Sequence, residues 1–166
     1  LNFLRNRLNR TFYEFINFER VKLLIKTTRF GNISIKKEKI IDMPFGMLGF
    51  PDKKKFVILQ HRENSPFFWY QSVNDPTLAF VITSPFLFKT DYEINTEDAL
   101  KVMSWNGDGK THGIEIYIVV NIPKGLPQKM TGNFIGPILI NNKVRQAVQI
   151  VISNSPYIHN CPLLSA

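Results

Sequence analysis

Cysteine is almost missing from this chain of 166 residues. Cys161 stands alone, which rules out an intrachain disulfide and a cysteine-rich metal centre and fits a cytoplasmic compartment. The three histidines, His61, His112 and His159, lack the HExxH or His-x-His spacing that sets two imidazoles on one face. They read as ordinary surface or satisfied histidines, and no metal is expected. Long apolar runs are missing too: the longest, Ile114 to Ile122, is broken by Glu115 and falls short of the ~18 residues a membrane span needs. The N-terminus is basic but has no unbroken apolar segment before a small-residue cleavage site, so no signal peptide is expected.

Catalytic constellations are equally scarce. Gly109-Lys110-Thr111 looks like the end of a phosphate-binding loop, but Ser104 sits where that motif needs its first glycine. Asp91 and Glu93 can share one face of a strand, yet no third group nearby gives them acid and base roles. Cys161 has no local nucleophile signature. The sequence predicts no enzyme and no cofactor.

What is present is positive charge and aromatic surface. The net charge is +8, but seven basic residues against two acidic ones fall in residues 1–30, so five of the eight excess charges sit there. The rest of the chain is only mildly basic. Residues 1–22 form a basic leader, with Leu1, Leu4, Leu8, Phe12, Phe15 and Ile16 near helical spacing. That pattern allows an amphipathic helix acting as a docking arm; the preferred reading is a disordered or extraneous extension. Residues 23–166 are expected to form a single domain, a size that buries about 70% of the extended surface.

The centre of that domain is Ser65 to Phe88. Two apolar runs, 66–73 and 78–84, flank Asn74-Asp75-Pro76-Thr77, a cluster that initiates tight turns. This predicts a β-hairpin. Phe67, Phe68, Trp69, Tyr70, Phe80, Phe86 and Phe88 crowd into it, and each can bury roughly 150 to 250 Å². Trp69 is assigned to the core. Before it, Gly31 separates two β-rich runs as a hairpin turn requires, and 44–52 is an apolar loop that should fold onto one end of the domain. Lys53, Lys54 and Lys55 read as a solvated strand edge that discourages aggregation, in preference to a phosphate grip. After the hairpin comes one short helix, Thr96 to Met103, with Thr96 as N-cap and Glu97 and Asp98 in its first turn. Three further strands follow, and a proline-bearing tail is expected along the surface. The fold class is all-β: short alternating strands with frequent turns predict an antiparallel barrel or sandwich with one short helix and, if the leader orders, an N-terminal helical extension.

Five segments in order carry a resemblance: TTRFG (27–31), IDMPFGMLGF (41–50), the stretch 65–93, MTGNFIGPILIN (130–141) and the last strand with Gln149. Together they resemble the flagellar assembly factor FliW family from about Lys26 to Leu164. The resemblance implies a small, mostly antiparallel β-barrel, a cytoplasmic protein that acts by binding. It implies two partners, flagellin before export and the RNA-binding translational repressor CsrA, exchanged as a switch that couples flagellin translation to export. Direct nucleic-acid contact is not expected. The alternative from another class is a basic barrel binding single-stranded RNA directly, suggested by a pI near 9.7 and strand-borne aromatics. For partner contacts the residues themselves favour Phe86, Phe88, Asp91, Tyr92 and Glu93, an irregular segment that mixes aromatics with acids.

Overall fold

The computed structural model describes residues 21–105, 113–153 and 155–164. Residues 1–20 of the leader, the Gly109-Lys110-Thr111 segment and His112 lie outside the described residues. Strands β1 (Lys22–Thr27) and β2 (Gly31–Lys36) form the first hairpin. Gly31 has φ +65°, as its turn requires, and Thr27 braces that turn through its Oγ1, donating to Gly31 O at 3.0 Å and accepting from Phe30 N at 2.9 Å.

The remaining strands are β3 (Ile41–Asp42), β4 (Lys55–Gln60), β5 (Phe67–Ser72), β6 (Ala79–Thr83), β7 (Ile114–Asn121), β8 (Thr131–Gly132), β9 (Ile138–Asn141), β10 (Gln146–Gln149) and β11 (Cys161–Pro162). Helix α1 (Glu97–Val102) lies between β6 and β7. The pairing order β7-β6-β5-β4-β3-β10-β9 returns to β7 through a β7–β9 ladder, so seven strands close into a ring, with β8 and β11 attached outside the closure. All pairings are antiparallel except β3 with β10.

Alternation along the strands explains the layers. Phe56, Tyr70, Ile82, Ile138 and Ile140 point inward and are fully buried, with Phe56 stacked on Tyr70 at 4.5 Å between centroids. The outward faces are apolar as well, because three other segments cover them. Val57 of β4 meets Ile25 and Ile35 of the first hairpin. Ile118 and Val120 of β7 meet Tyr92, Phe134 and Leu163. Leu139 and Val148 meet Ala99, Met103 and Trp105 at α1.

Several expectations need correction. Trp69 falls on an odd position of β5, so the pleat that turns Phe68 and Tyr70 inward turns it out. It is half-buried, with the Arg29 guanidinium 4.1 Å from its ring centroid and its Nε1–H donating to His61 Nδ1 at 3.1 Å. The buried tryptophan is Trp105, 1% exposed, whose Nε1–H donates to Gln146 Oε1 at 3.1 Å. Thr96 makes no side-chain cap; Asn95 Oδ1 accepts the Glu97 N–H at 2.9 Å instead. The lysines do not guard an edge, since β4 is paired on both sides. Lys53 binds Asp75 at 3.1 Å, Lys54 donates to Pro44 O, and Lys55 binds Asp42 at 2.6 Å. The tail is more than a surface strap: β11 pairs with β8 and Leu163 is buried. The loop at 44–52 seats Met47 in the inner core and Phe50 on Phe80, yet leaves Phe45 and Leu48 about half exposed.

The turn of the central hairpin is held by charge. Asp75 accepts from Thr77 N at 3.0 Å and Thr77 Oγ1 at 2.7 Å, and faces Lys53. The Thr77 hydroxyl first, then Lys53, hold its carboxyl down at about 2. A carboxylate held lower in the fold than in the open chain stabilises above its open-chain value, and that contribution fades as acid titrates it. Melting temperature should therefore fall from about pH 4 towards pH 2, and Asp75→Asn should flatten that part of the profile. In urea at neutral pH, Phe56→Ala should cost about 3–5 kcal/mol, because it empties a site filled by a stacked ring.

Candidate partner-binding site

The five residues proposed for partner contact do not share one environment. After β6 the chain makes a tight turn at Pro85–Leu87, with Phe88 N and Lys89 N both bonded to Pro85 O at 3.0 and 2.9 Å. Pro85 suits the first position of such a turn, where its ring sets φ and no N–H is needed. The turn holds Phe86 42% and Leu87 60% exposed. Phe88 is half-buried and stacks on Phe67 at 6.4 Å. Tyr92 is buried, 4% exposed, and its hydroxyl donates to Phe134 O at 2.7 Å. Burial pushes its phenol above the ordinary range, so it stays a neutral donor. Tyr92 is thus the anchor of the segment and not a contact surface. Asp91 and Glu93, flanking it, are exposed and enter no ion pair among the described residues.

Phe86 and Leu87 also form one wall of an open groove of about 780 Å³. Its other walls come from Asn64, Ser65, Pro66 and Phe68 at the start of β5 and from Ile114, Glu115, Ile116 and Tyr117 of β7. Phe68 and Tyr117 meet edge to face at 6.1 Å across its floor. The Tyr117 hydroxyl donates to Glu115 Oε2 at 2.8 Å. Burial, and then that bond, push the phenol above its usual value. The lining is apolar with a single carboxylate, and its volume falls in the usual range for ligand and partner clefts of roughly 300–1,000 Å³.

Leu87, Phe68 and the β7 residues escaped the sequence reading. A signal was there, since GIEIYIVVNI is longer than the LAFVITS run it pairs with, so part of β7 had to extend past its neighbour. Among the described residues no cluster of His, Cys, Asp and Glu could hold a metal ion, and His159 lies exposed on the tail. No described helix is long and apolar enough to cross a membrane.

Comparison with known proteins bears on the same region. The family model described as FliW protein matches residues 23–163. The flagellar assembly factor FliW of Magnetococcus marinus is 37% identical over 129 residues, covering 76% of this chain and 77% of that protein. That of Alkaliphilus metalliredigens is 33% identical over 137 residues, covering 81% and 82%. A crystal structure of the flagellar assembly factor FliW superposes with a TM-score of 0.77 at 30% identity, over 87% of this chain and 99% of that one.

Exposed positions can be changed without loss of fold, whereas the anchor cannot. Leu87→Asp should shift stability by no more than about 0.5 kcal/mol, while Tyr92→Phe, which leaves the Phe134 carbonyl unpaired, should cost about 1 kcal/mol or more in chemical denaturation.

Proposed function

The chain belongs to the FliW family of flagellar assembly factors, and from that premise we propose that it acts as a binding protein in the cytoplasm, without catalysis. Its partners are flagellin awaiting export and the translational repressor CsrA, and occupancy by one weakens the hold on the other. Free flagellin keeps the repressor at liberty to silence flagellin mRNA. Export empties the protein, which then takes up the repressor, and translation resumes.

The observation that supports this reading is the groove with Phe86 and Leu87 on its wall. Filament subunits before assembly carry apolar segments whose mates are missing, and an apolar groove lowers their free energy by covering them. Phe86 and Leu87 are costly to leave in water and gain by the same contact. Asp91 and Glu93 stand close by in sequence on the same face-forming segment, and their free carboxylates suit a basic protein that binds RNA. Exchange between partners needs only a modest coupling: about 1–3 kcal/mol changes affinity by roughly 5- to 150-fold.

Titration calorimetry with the purified partners tests this. Leu87→Asp should weaken flagellin binding at least about tenfold, as loss of an apolar anchor does. Asp91→Lys with Glu93→Lys should weaken the repressor and reduce the salt dependence of its association. Wild-type isotherms showing no heat and no binding with either partner would remove the proposal. Steeply salt-dependent binding of single-stranded RNA in its place would favour the RNA-binding alternative.

A further inference from the structure

β7 outruns the strand beside it. Its ladder with β6 runs from Val81↔Val120 to Thr83↔Ile118, and there β6 ends. On its other edge β7 continues to pair, with β9, from Ile114↔Asn141 to Tyr117↔Ile138. Over Ile114–Tyr117, therefore, one edge is satisfied and, among the described residues, the edge in line with β6 has no strand. The turn at Pro85–Leu87 packs beside β7 but adds no strand there: among the described residues no backbone bond joins Ile114–Tyr117 to that turn, in which Leu87 N bonds Ser84 O at 3.4 Å.

The groove has the shape this predicts. Neighbouring side chains of a strand point to opposite faces, so a cavity lined by four successive residues of β7 must run along the strand's edge. Ser65, Pro66 and Phe68 form the opposite wall. The space between is where β6 would lie if it continued past Thr83.

We infer that this slot receives an extended peptide, added to the free edge of β7 as a strand that prolongs the row of β6. The inference rests on reading the groove as the partner-binding site and specifies how the partner enters it. The occupant is an extended segment with alternating apolar residues and a lysine or arginine. Only extended backbone presents N–H and C=O groups at strand spacing, since a helix spends its own internally. The apolar residues would meet Ile114 and Ile116 on one face, and the alternate residues would pass Phe68 and Tyr117 on the other. The basic one answers Glu115, whose carboxylate bonds the Tyr117 hydroxyl and forms no ion pair among the described residues, in a chain of net charge +8.

Amide hydrogen exchange by NMR, with two additions made separately, tests the mode of binding. One addition is monomeric flagellin; the other is a synthetic peptide, Thr-Val-Lys-Val-Thr-Val-Lys-Val. Binding should slow exchange of the edge-facing amides among Ile114–Tyr117 at least about tenfold, leaving the amides bonded to β9 unchanged. N-methylation of the peptide at alternate residues should abolish binding in one parity and spare it in the other, whereas a helical ligand suffers from both. Glu115→Lys, at an exposed position, should weaken the lysine-bearing peptide. Flagellin that binds without protecting this edge overturns strand addition and leaves the partner reading in place. A peptide that protects the edge while flagellin fails to bind supports strand addition and removes flagellin as the occupant. Failure of both overturns both. Protection that rises with protein concentration and no addition would mean that a second copy pairs with this edge, which also overturns the inference.

Discussion

Closure of the ring rests on one strand that changes partner along its length. β7 gives one edge to β6 near its end and the other edge to β9 near its beginning, and among the described residues no other strand joins those two sides of the sheet. Without that double engagement the sheet would stay open, and Phe56, Tyr70 and Ile82 would lose the far wall against which they pack. The same device creates the molecule's opening. A strand that serves two neighbours in offset registers must leave an unpaired stretch, and here that stretch borders the groove.

The outer coverings follow from the apolar content of the strands. An eight-residue strand with isoleucine or valine at nearly every second position on one face and tyrosine and valine on the other cannot leave either face wet. The first hairpin, the segment with α1 and the tail each take one outward patch, which is why so small a chain has an inner core and three outer ones. The open groove lies where this covering stops, between the turn at Pro85–Leu87 and the start of β7.

Much of this was legible in the residues. The central hairpin, the Gly31 turn, the short helix and the all-β class follow from turn chemistry and alternation, which are local; those signals fit a sandwich as well as a barrel, and closure depends on the distant pairing of β7 with β9. What was not legible depended on parity and on distant partners. Trp69 was placed in the core because large aromatics in central strands usually pack inward, but one residue of register decides the face, and that register is fixed by pairing with β4 and β6. Tyr92 looked like a surface aromatic among acids; its burial depends on Phe134, 42 positions away. The three lysines looked alike in sequence, yet each found a different acceptor: the hairpin turn at Asp75, the carbonyl of Pro44, and Asp42 at the end of β3. The candidate segment was found because it is irregular. Its division into anchor and exposed faces could come only from packing.

The two tryptophans end up in contrasting settings, one sealed beneath α1 and the other under Arg29 beside an imidazole. Trp105 emits from a dry surrounding and reports whether the helix is seated on the ring. Trp69 emits from a half-wet one, between the Arg29 guanidinium and the His61 ring, so its brightness follows the docking of the first hairpin. Replacing either one with phenylalanine leaves a single-colour gauge of one layer, and the chain thus carries its own optical record of the order in which its coverings detach.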